Sequence, residues 1–592
     1  MADENSGRRR SEMWFNDMAE PGETAVYIER YGNYGITRKE LQSGRPVIGI
    51  AQSGSDLTPC NRIHVELAAR VKDGIRDAGG IPLEFPTHPI QESCRRPTAA
   101  LDRNLAYLGL VEILCGYPFD GVVLMTGCDK TTPACLMAAA TVNLPAMVLS
   151  GGPMINSYVD GKLAGSGVAL WEARRLLAAG FINAEELLER VSVAASSAGH
   201  CNSMGTALSM NCLAEAMGMS LPGCGAIPAP YAERAKMAYE TGRRIVGMVI
   251  EDLTPRRLLT RAAFENAIVV ASALGASTNC PPHIIAIARH MGVPLDVNDW
   301  ETIGHDVPLL ANIQPAGEFL GEDFHRAGGM PAILGELIRV GRIAGDALTV
   351  NGKSIRENYG EARIQDARVI RPYDAPLKEK AGFLVVSGNL FESALVKTSV
   401  ISEDFKRRFL STPGSEDCFV SRVIVFEGPE DYRRRIEDPA LEIDETCMLV
   451  VRGAGPVAYP GSAEVVNMTP PGRLVSHNVR MLPCMGDGRQ SGTSDSPSIL
   501  HASPEAAVGG SLAILRTGDR VKVDLRNRRV DVLLCDQEIE KRRQDLKTVP
   551  LSHDSPWQEL YRQHVGQLES GACLEFAIPY SDLRKVVPRH SH

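Results

Sequence analysis

The stretch Gly121-Val-Val-Leu-Met-Thr-Gly-Cys-Asp-Lys-Thr-Thr-Pro-Ala134 reads as a short apolar strand, a polar turn and the start of a helix. An apolar run of that length, closed by turn residues, suits a strand buried on both faces. The turn crowds a thiol (Cys128), a carboxylate (Asp129) and an amine (Lys130) into consecutive positions. Thiolate suits iron-sulfur or zinc and carboxylate suits magnesium or manganese, so neighbours of opposite softness point to a site that uses both kinds of metal.

The same alternation continues on both sides. Pro46-Val-Ile-Gly-Ile50 reads as a buried strand and is followed by a loop carrying Cys60; Ile63, Leu67, Val71 and Ile75 then fall at helical spacing. Ile81-Pro-Leu-Glu-Phe85 and Pro145-Ala-Met-Val-Leu149 read as further strands, the second ending at Ser150. Short apolar strands alternating with amphipathic helices predict a parallel sheet covered on both faces. In such sheets ligands gather at the loops leaving the carboxyl ends of the strands, where Cys60, Cys128 and Ser150 lie. The stretch 165–300 reads as mostly helical, most clearly over 170–179, 184–195 and 262–274.

Near residue 375 the composition shifts. Segments 382–387, 419–426 and 448–452 read as strands, and Arg520-Val-Lys-Val-Asp-Leu525 alternates with period two before a second strand at 530–534, which predicts a hairpin. The expected fold class is therefore α/β: an N-terminal three-layer α/β/α domain with a parallel sheet over 1–375, and a C-terminal β-rich, barrel-like domain over 376–592.

With 44% hydrophobic and 23% charged residues and a net charge of -9, the 592-residue chain has an ordinary globular composition. Its basic clusters, Arg8-Arg9-Arg10 and Arg433-Arg434-Arg435, are too short to make a nucleic-acid stripe, so no nucleic-acid partner is expected. No apolar stretch reaches 18 residues, so no membrane span is expected; the acidic start of the chain, without an apolar run, does not read as an export signal. A cytoplasmic location follows as an expectation. Fourteen irregularly spaced cysteines with no Cys-x-x-Cys pair read as free thiols, metal ligands or catalytic groups rather than a disulfide framework.

Gly127-Cys-Asp-Lys-Thr-Thr-Pro-Ala134 resembles the signature of the dihydroxy-acid and phosphogluconate dehydratase family, which includes the sugar-acid dehydratases. Further landmarks follow in the family's order: Ser150-Gly-Gly-Pro-Met154, Ala198-Gly-His-Cys201, Gly275-Ala-Ser-Thr-Asn279, Gly388-Asn-Leu390, Pro460-Gly-Ser-Ala-Glu464 and Gly486-Asp-Gly-Arg-Gln-Ser491. The resemblance runs from about residue 40 to 590. The loop Ser53-Gly-Ser-Asp56 with Cys60 and Asn61, Gly199-His-Cys-Asn202 and Asp495-Ser-Pro-Ser498 look most like the pentonate branch.

That resemblance implies a set of roles. Cys60, Cys128 and Cys201 would hold a 2Fe-2S cluster with one iron left open as a Lewis acid. Glu92, Asp129 and Glu464, with Lys130 carbamylated into an oxygen ligand, would hold Mg²⁺. Ser491, as an alkoxide, would be the catalytic base, and Ser277, Thr278 and Asn279 are candidates for substrate contact, although turn-forming is an equal reading for these three. The usual Thr-Asp-Gly-Arg-Phe-Ser-Gly-Gly becomes Gly486-Asp-Gly-Arg-Gln-Ser-Gly-Thr493, a departure expected to alter pocket shape and substrate rather than reaction type. The chain's end, Pro588-Arg-His-Ser-His592, is expected to fold back toward an active site, its own or a neighbouring subunit's, so that His592 touches the substrate.

The implied reaction is dehydration of an aldonate, D-xylonate foremost, to a 2-keto-3-deoxy acid by a homodimer or homotetramer. Other substrates in the same class are L-arabinonate, D-fuconate, galactonate, phosphogluconate and the branched-chain dihydroxy acids. A reading from another class is an iron-sulfur sensor that has lost activity. Ser491 and Glu464 argue against it, because a sensor needs neither a base nor a second cation.

Overall fold

The computed structural model describes residues 8–546, 551–586 and 588–589. His592 lies outside the described residues. Strands β1 (Val47–Gln52), β2 (Ile81–Pro86), β3 (Gly121–Thr126) and β4 (Ala146–Ser150) form a parallel sheet in the order β2-β1-β3-β4. Every residue of β1, β3 and β4 is buried, whereas the edge strand β2 alternates toward solvent. Full burial follows from cover on both faces: the helix His64–Asp77 packs with Ala232–Ile250, and Ala99–Gly116 packs with Thr131–Val142. The chain leaves β1 toward one edge and returns at β3 to build toward the other. That reversal makes the crevice between the ends of β1 and β3 the topological switch point, where the Cys60 and Cys128 loops emerge.

A short hairpin of β5 (Tyr158–Val159) and β6 (Lys162–Leu163) leads into two helices, Val168–Ala178 and Ala184–Ser192. The second of these has no buried residue.

The C-terminal part is built on a single sheet of eight strands: β7 (Phe383–Val386), β8 (Ser393–Lys397), β9 (Cys418–Glu427), β10 (Met448–Arg452), β11 (Cys484–Gly486), β12 (Ile499–Ser503), β13 (Arg520–Asp524) and β14 (Arg529–Val532). Their order is β14-β13-β9-β10-β11-β12-β8-β7, with β9 to β12 mutually parallel and the flanking pairs antiparallel. The two edges meet: the Ser387 N–H donates to the Arg528 carbonyl at 3.0 Å and its own carbonyl accepts from the Val530 N–H at 2.9 Å. The result is a nearly closed barrel, as expected from the sequence, whose interior is filled by side chains such as Val386, Val450, Met485, Val521 and Val530.

Beyond the barrel the chain returns to the first core. Tyr561, Cys573, Leu574 and Ala577 join the N-terminal hydrophobic cluster. The buried Arg103 guanidinium ties them down, donating to the carbonyls of Gly571 at 2.8 Å and Ala572 at 2.6 Å. Among the described residues no helix is long and apolar enough to cross a membrane.

Candidate active site

Loops leaving the carboxyl ends of parallel strands from both sheets line one cavity of about 550 Å³. Cys60 comes from the loop after β1, Glu92 from that after β2, Cys128 and Asp129 from that after β3, Glu464 from that after β10 and Ser491 from that after β11. Cys201, just before the helix Thr206–Ala216, completes the set.

The three thiols are fixed through their backbones. The Cys60 N–H donates to Gln91 Oε1 at 2.8 Å, and the Cys128 N–H donates to Asn61 Oδ1 at 2.7 Å. The Cys128 thiol donates to Asp129 Oδ1 at 2.9 Å, and Cys201 Sγ lies 3.4 Å from Ser166 Oγ. Burial pushes all three thiols above their ordinary pKa, and the neighbouring negative groups add to it. Two buried imidazoles brace this region, with His64 Nε2 at 3.0 Å from the Thr126 carbonyl and His200 Nδ1 at 3.0 Å from the Cys201 carbonyl. Burial lowers their pKa values to about 4 and about 3, so both are neutral donors at pH 7.

Glu92, Asp129 and Glu464 each offer one carboxylate oxygen, and these oxygens lie within 4.8 Å of one another. Two buried cations stand behind them. Lys130 Nζ, fully buried, pairs with Glu92 Oε2 at 3.0 Å and Asp129 Oδ2 at 3.1 Å. Arg489 reaches Glu92 Oε1 at 3.2 Å and Glu464 Oε1 at 3.0 Å. Burial alone would lower the Lys130 pKa, but Asp129 and Glu92 outweigh it and hold the amine above its ordinary range. Glu92 is lowered despite burial, because Lys130 and Arg489 face it. Glu464 is raised to about 7, first by burial and then by the charge of Glu92. Three carboxylates against two cations leave one surplus negative charge, and Glu464 carries the strain of it.

Ser491 follows directly: its N–H donates to Asn467 Oδ1 at 3.2 Å, and its Oγ lies 2.9 Å from Thr493 Oγ1. Ser277, Thr278 and Asn279 are fully buried and sit behind Thr206 and Glu464, which line the cavity. Ser277 Oγ lies 2.8 Å from Thr206 Oγ1, and the Asn279 amide donates to Glu464 Oε1 at 2.7 Å while its oxygen accepts from Arg489 at 3.0 Å.

The donor chemistry suits two metal centres. A cationic iron-sulfur unit would offset the cost that burial places on three thiolates, and a divalent cation would offset the surplus charge among three hard oxygen donors.

Residues 45–358 match the family described as dihydroxy-acid/6-phosphogluconate dehydratase N-terminal, and residues 368–572 match its C-terminal counterpart. The chain belongs to the dihydroxy-acid/6-phosphogluconate dehydratase family. It is 59% identical over 586 residues to the D-xylonate dehydratase of Caulobacter vibrioides, covering 99% of this chain and 98% of that protein. It is 42% identical over 541 residues to the L-arabinonate dehydratase of Rhizobium leguminosarum bv. trifolii, covering 91% of each. The dihydroxy-acid dehydratase of Caldanaerobacter subterraneus subsp. tengcongensis is 36% identical over 547 residues, with 91% of this chain and 95% of that one covered. As a member of this dehydratase family the chain is a hydro-lyase.

In this dehydratase the sequence alone does not mark Arg489, Thr98 or Trp171 as site residues. Arg489 stands two positions before Ser491 in a segment already singled out, but only the fold brings Glu92 and Glu464 to its two ends.

Proposed function

We propose that this hydro-lyase dehydrates a sugar acid, with D-xylonate the foremost substrate and a 2-keto-3-deoxy acid the product. The observation that carries this reading is the 59% identity, over 99% of the chain, to a D-xylonate dehydratase. The cavity supports it. A polyol chain demands hydrogen-bonding partners, and Ser166, Thr206, Tyr459, Ser491 and Thr493 are among the residues that line the space, beside apolar ones such as Leu170, Val191 and Val465.

In this reading Cys60, Cys128 and Cys201 hold a 2Fe-2S cluster. Glu92, Asp129 and Glu464 hold Mg²⁺, joined by Lys130, whose amine sits between Glu92 and Asp129 and becomes an oxygen ligand once carbamylated. When bound, the cluster supplies a Lewis acid for a departing hydroxyl and the Mg²⁺ supplies positive charge against the developing enediolate. Ser491 Oγ takes the proton from C2; the C2–C3 double bond forms as the C3 hydroxyl leaves with its bonding electrons. The proton held on Ser491 and the departing hydroxide together make the released water. The enol then takes a proton at C3 and becomes the 2-keto-3-deoxy acid. Arg489 and Asn279 hold Glu464 in place from behind, and Ser277 Oγ supports Thr206 in the cavity wall. A homodimer or homotetramer in the cytoplasm belongs to the same reading.

The test is 2-keto-acid release from a panel of D-xylonate, L-arabinonate, D-fuconate, galactonate, 6-phosphogluconate and a branched-chain dihydroxy acid, using protein purified without air and supplied with Mg²⁺. D-xylonate is expected to react fastest. A panel led by the branched-chain acid overturns the substrate class, and iron-loaded protein inert toward every member favours the sensor.

A further inference from the structure

Among the described residues Ser491 Oγ has one side-chain hydrogen-bond partner, Thr493 Oγ1 at 2.9 Å, and the Thr493 backbone N–H also points at it, at 3.4 Å. Thr493 Oγ1 is in turn the acceptor for the indole N–H of Trp171, at 3.0 Å. An indole N–H only donates, whereas a hydroxyl has one hydrogen and two lone pairs. Trp171 therefore occupies one lone pair of Thr493 and leaves its hydrogen free. A serine that is to accept a proton from carbon has no hydrogen of its own to offer, so in that pair Thr493 must be the donor. Donation along Trp171, Thr493 and Ser491 runs in one direction, and each bond polarises the next.

The side chain that makes this relay is built in. Gly167 has φ +83°, and a Cβ there would lie 2.4 Å from Thr493 Oγ1; a Cβ on Gly205 would lie 2.9 Å from Thr493 Cγ2. Two glycines thus leave the space that the threonine fills, and Thr493 itself is buried. Trp171 lies on the helix Val168–Ala178, where the Arg174 guanidinium covers its ring at 5.0 Å from the centroid.

We propose that Thr493, oriented by the Trp171 indole N–H, is a positioning residue that donates its hydroxyl hydrogen to Ser491 Oγ and so holds that oxygen as the base. The proposal rests on Ser491 being the base of the dehydration. No bond to Thr493 breaks: the proton leaving C2 goes to Ser491 Oγ, and the Thr493 O–H remains a donor throughout.

The test compares wild type with Thr493→Val, Thr493→Ser and Trp171→Phe at matched iron and Mg²⁺ content. Two readouts are taken: steady-state kinetics on D-xylonate, and the indole N–H resonances of ¹⁵N-tryptophan-labelled protein. The chain has four tryptophans, so the Trp171 signal is the one lost in Trp171→Phe. Thr493→Val is expected to move that signal upfield and to lower kcat by about tenfold to a hundredfold, with KM changed by less than about twofold, because a charge-assisted hydrogen bond is lost but uniform substrate binding is not. Thr493→Ser should keep the signal in place and recover kcat to within about threefold of wild type. Trp171→Phe should lower kcat by less than Thr493→Val does. An unmoved indole signal in Thr493→Val overturns the geometry. Wild-type kcat in Thr493→Val overturns the role, as does a Thr493→Ser variant no better than Thr493→Val, which would make the loss one of packing. If wild-type protein releases no keto acid from any aldonate, the dehydratase reading itself fails and takes the role with it, a result told apart because the indole shift still reports the bond.

Discussion

Arg489 is the residue on which most of the site's electrostatics turns. It is buried, it pairs with Glu92 and Glu464 from separate loops, and it anchors on the Ser462 carbonyl at 2.8 Å. Removing a buried partner leaves the remaining charges uncompensated, so Arg489→Met is expected to cost about 3–5 kcal/mol, read by denaturant unfolding of metal-free protein. Ser491 has a different signature. It makes no ion pair, so Ser491→Ala should leave unfolding unchanged while kcat falls by roughly a hundredfold to ten-thousandfold, the range for a positioned base. At this scale the sequence was most legible where chemistry is adjacent in the chain: Cys128, Asp129 and Lys130 announce a mixed site by themselves. Arg489 and Trp171 were not legible as site residues, because a partner of each lies hundreds of residues away.

Among the elements, the long strands and the hairpin β13–β14 follow from apolar runs and period-two alternation, and all appear where the pattern puts them. β8, β11 and β12 were missed for physical reasons. β11 has only three residues, and β8 and β12 bury Ser393, Lys397, His501 and Ser503 beside their apolar residues, so they show neither an unbroken apolar run nor alternation. Burial of β8 has a thermodynamic consequence at its last residue. Burial, with Lys378 adding to it, lowers the Lys397 pKa from 10.5 to about 7. The unfolded chain then holds a proton that the folded chain has released between about pH 7 and 10.5, so stability rises with pH across that window and the contribution is absent below it. Its full size is on the order of 5 kcal/mol. Lys397→Met should flatten this rise, measured as the wild-type minus variant difference in unfolding free energy at pH 7 and pH 10. The seam of the barrel is a second weak point. A Cβ on Gly388 would lie 1.8 Å from the Val530 carbonyl oxygen, so Gly388→Ala must open the Ser387–Val530 pairing. A loss of at least about 2 kcal/mol, seen as a lower Tm, is expected from backbone displacement and a broken ladder.

On the scale of the whole molecule, two sheets of different topology direct the ends of their parallel strands at the same cavity, so Glu464 and Ser491 meet donors that stand hundreds of residues earlier in the chain. The general plan, a parallel sheet followed by a barrel-like sheet, was legible from strand patterns alone. Convergence of the two was not, since no local pattern encodes how one sheet faces the other. Convergence also separates two losses. Cys128→Ser, purified without air, should lose visible absorbance and iron but keep the fold, whereas Glu464→Gln should keep the colour and lose the response to added Mg²⁺. The central claim is that Ser491 takes the C2 proton of a sugar acid in this cavity. The most direct measurement follows D-xylonate deuterated at C2 by NMR, with wild-type and Ser491→Ala proteins of equal iron content. Wild type should convert it to the 2-keto-3-deoxy acid with the C2 deuterium released to solvent, and Ser491→Ala should form that product at least about a hundredfold more slowly; complete transfer of the deuterium from C2 to C3 of the product, or wild-type turnover by Ser491→Ala, would contradict the account.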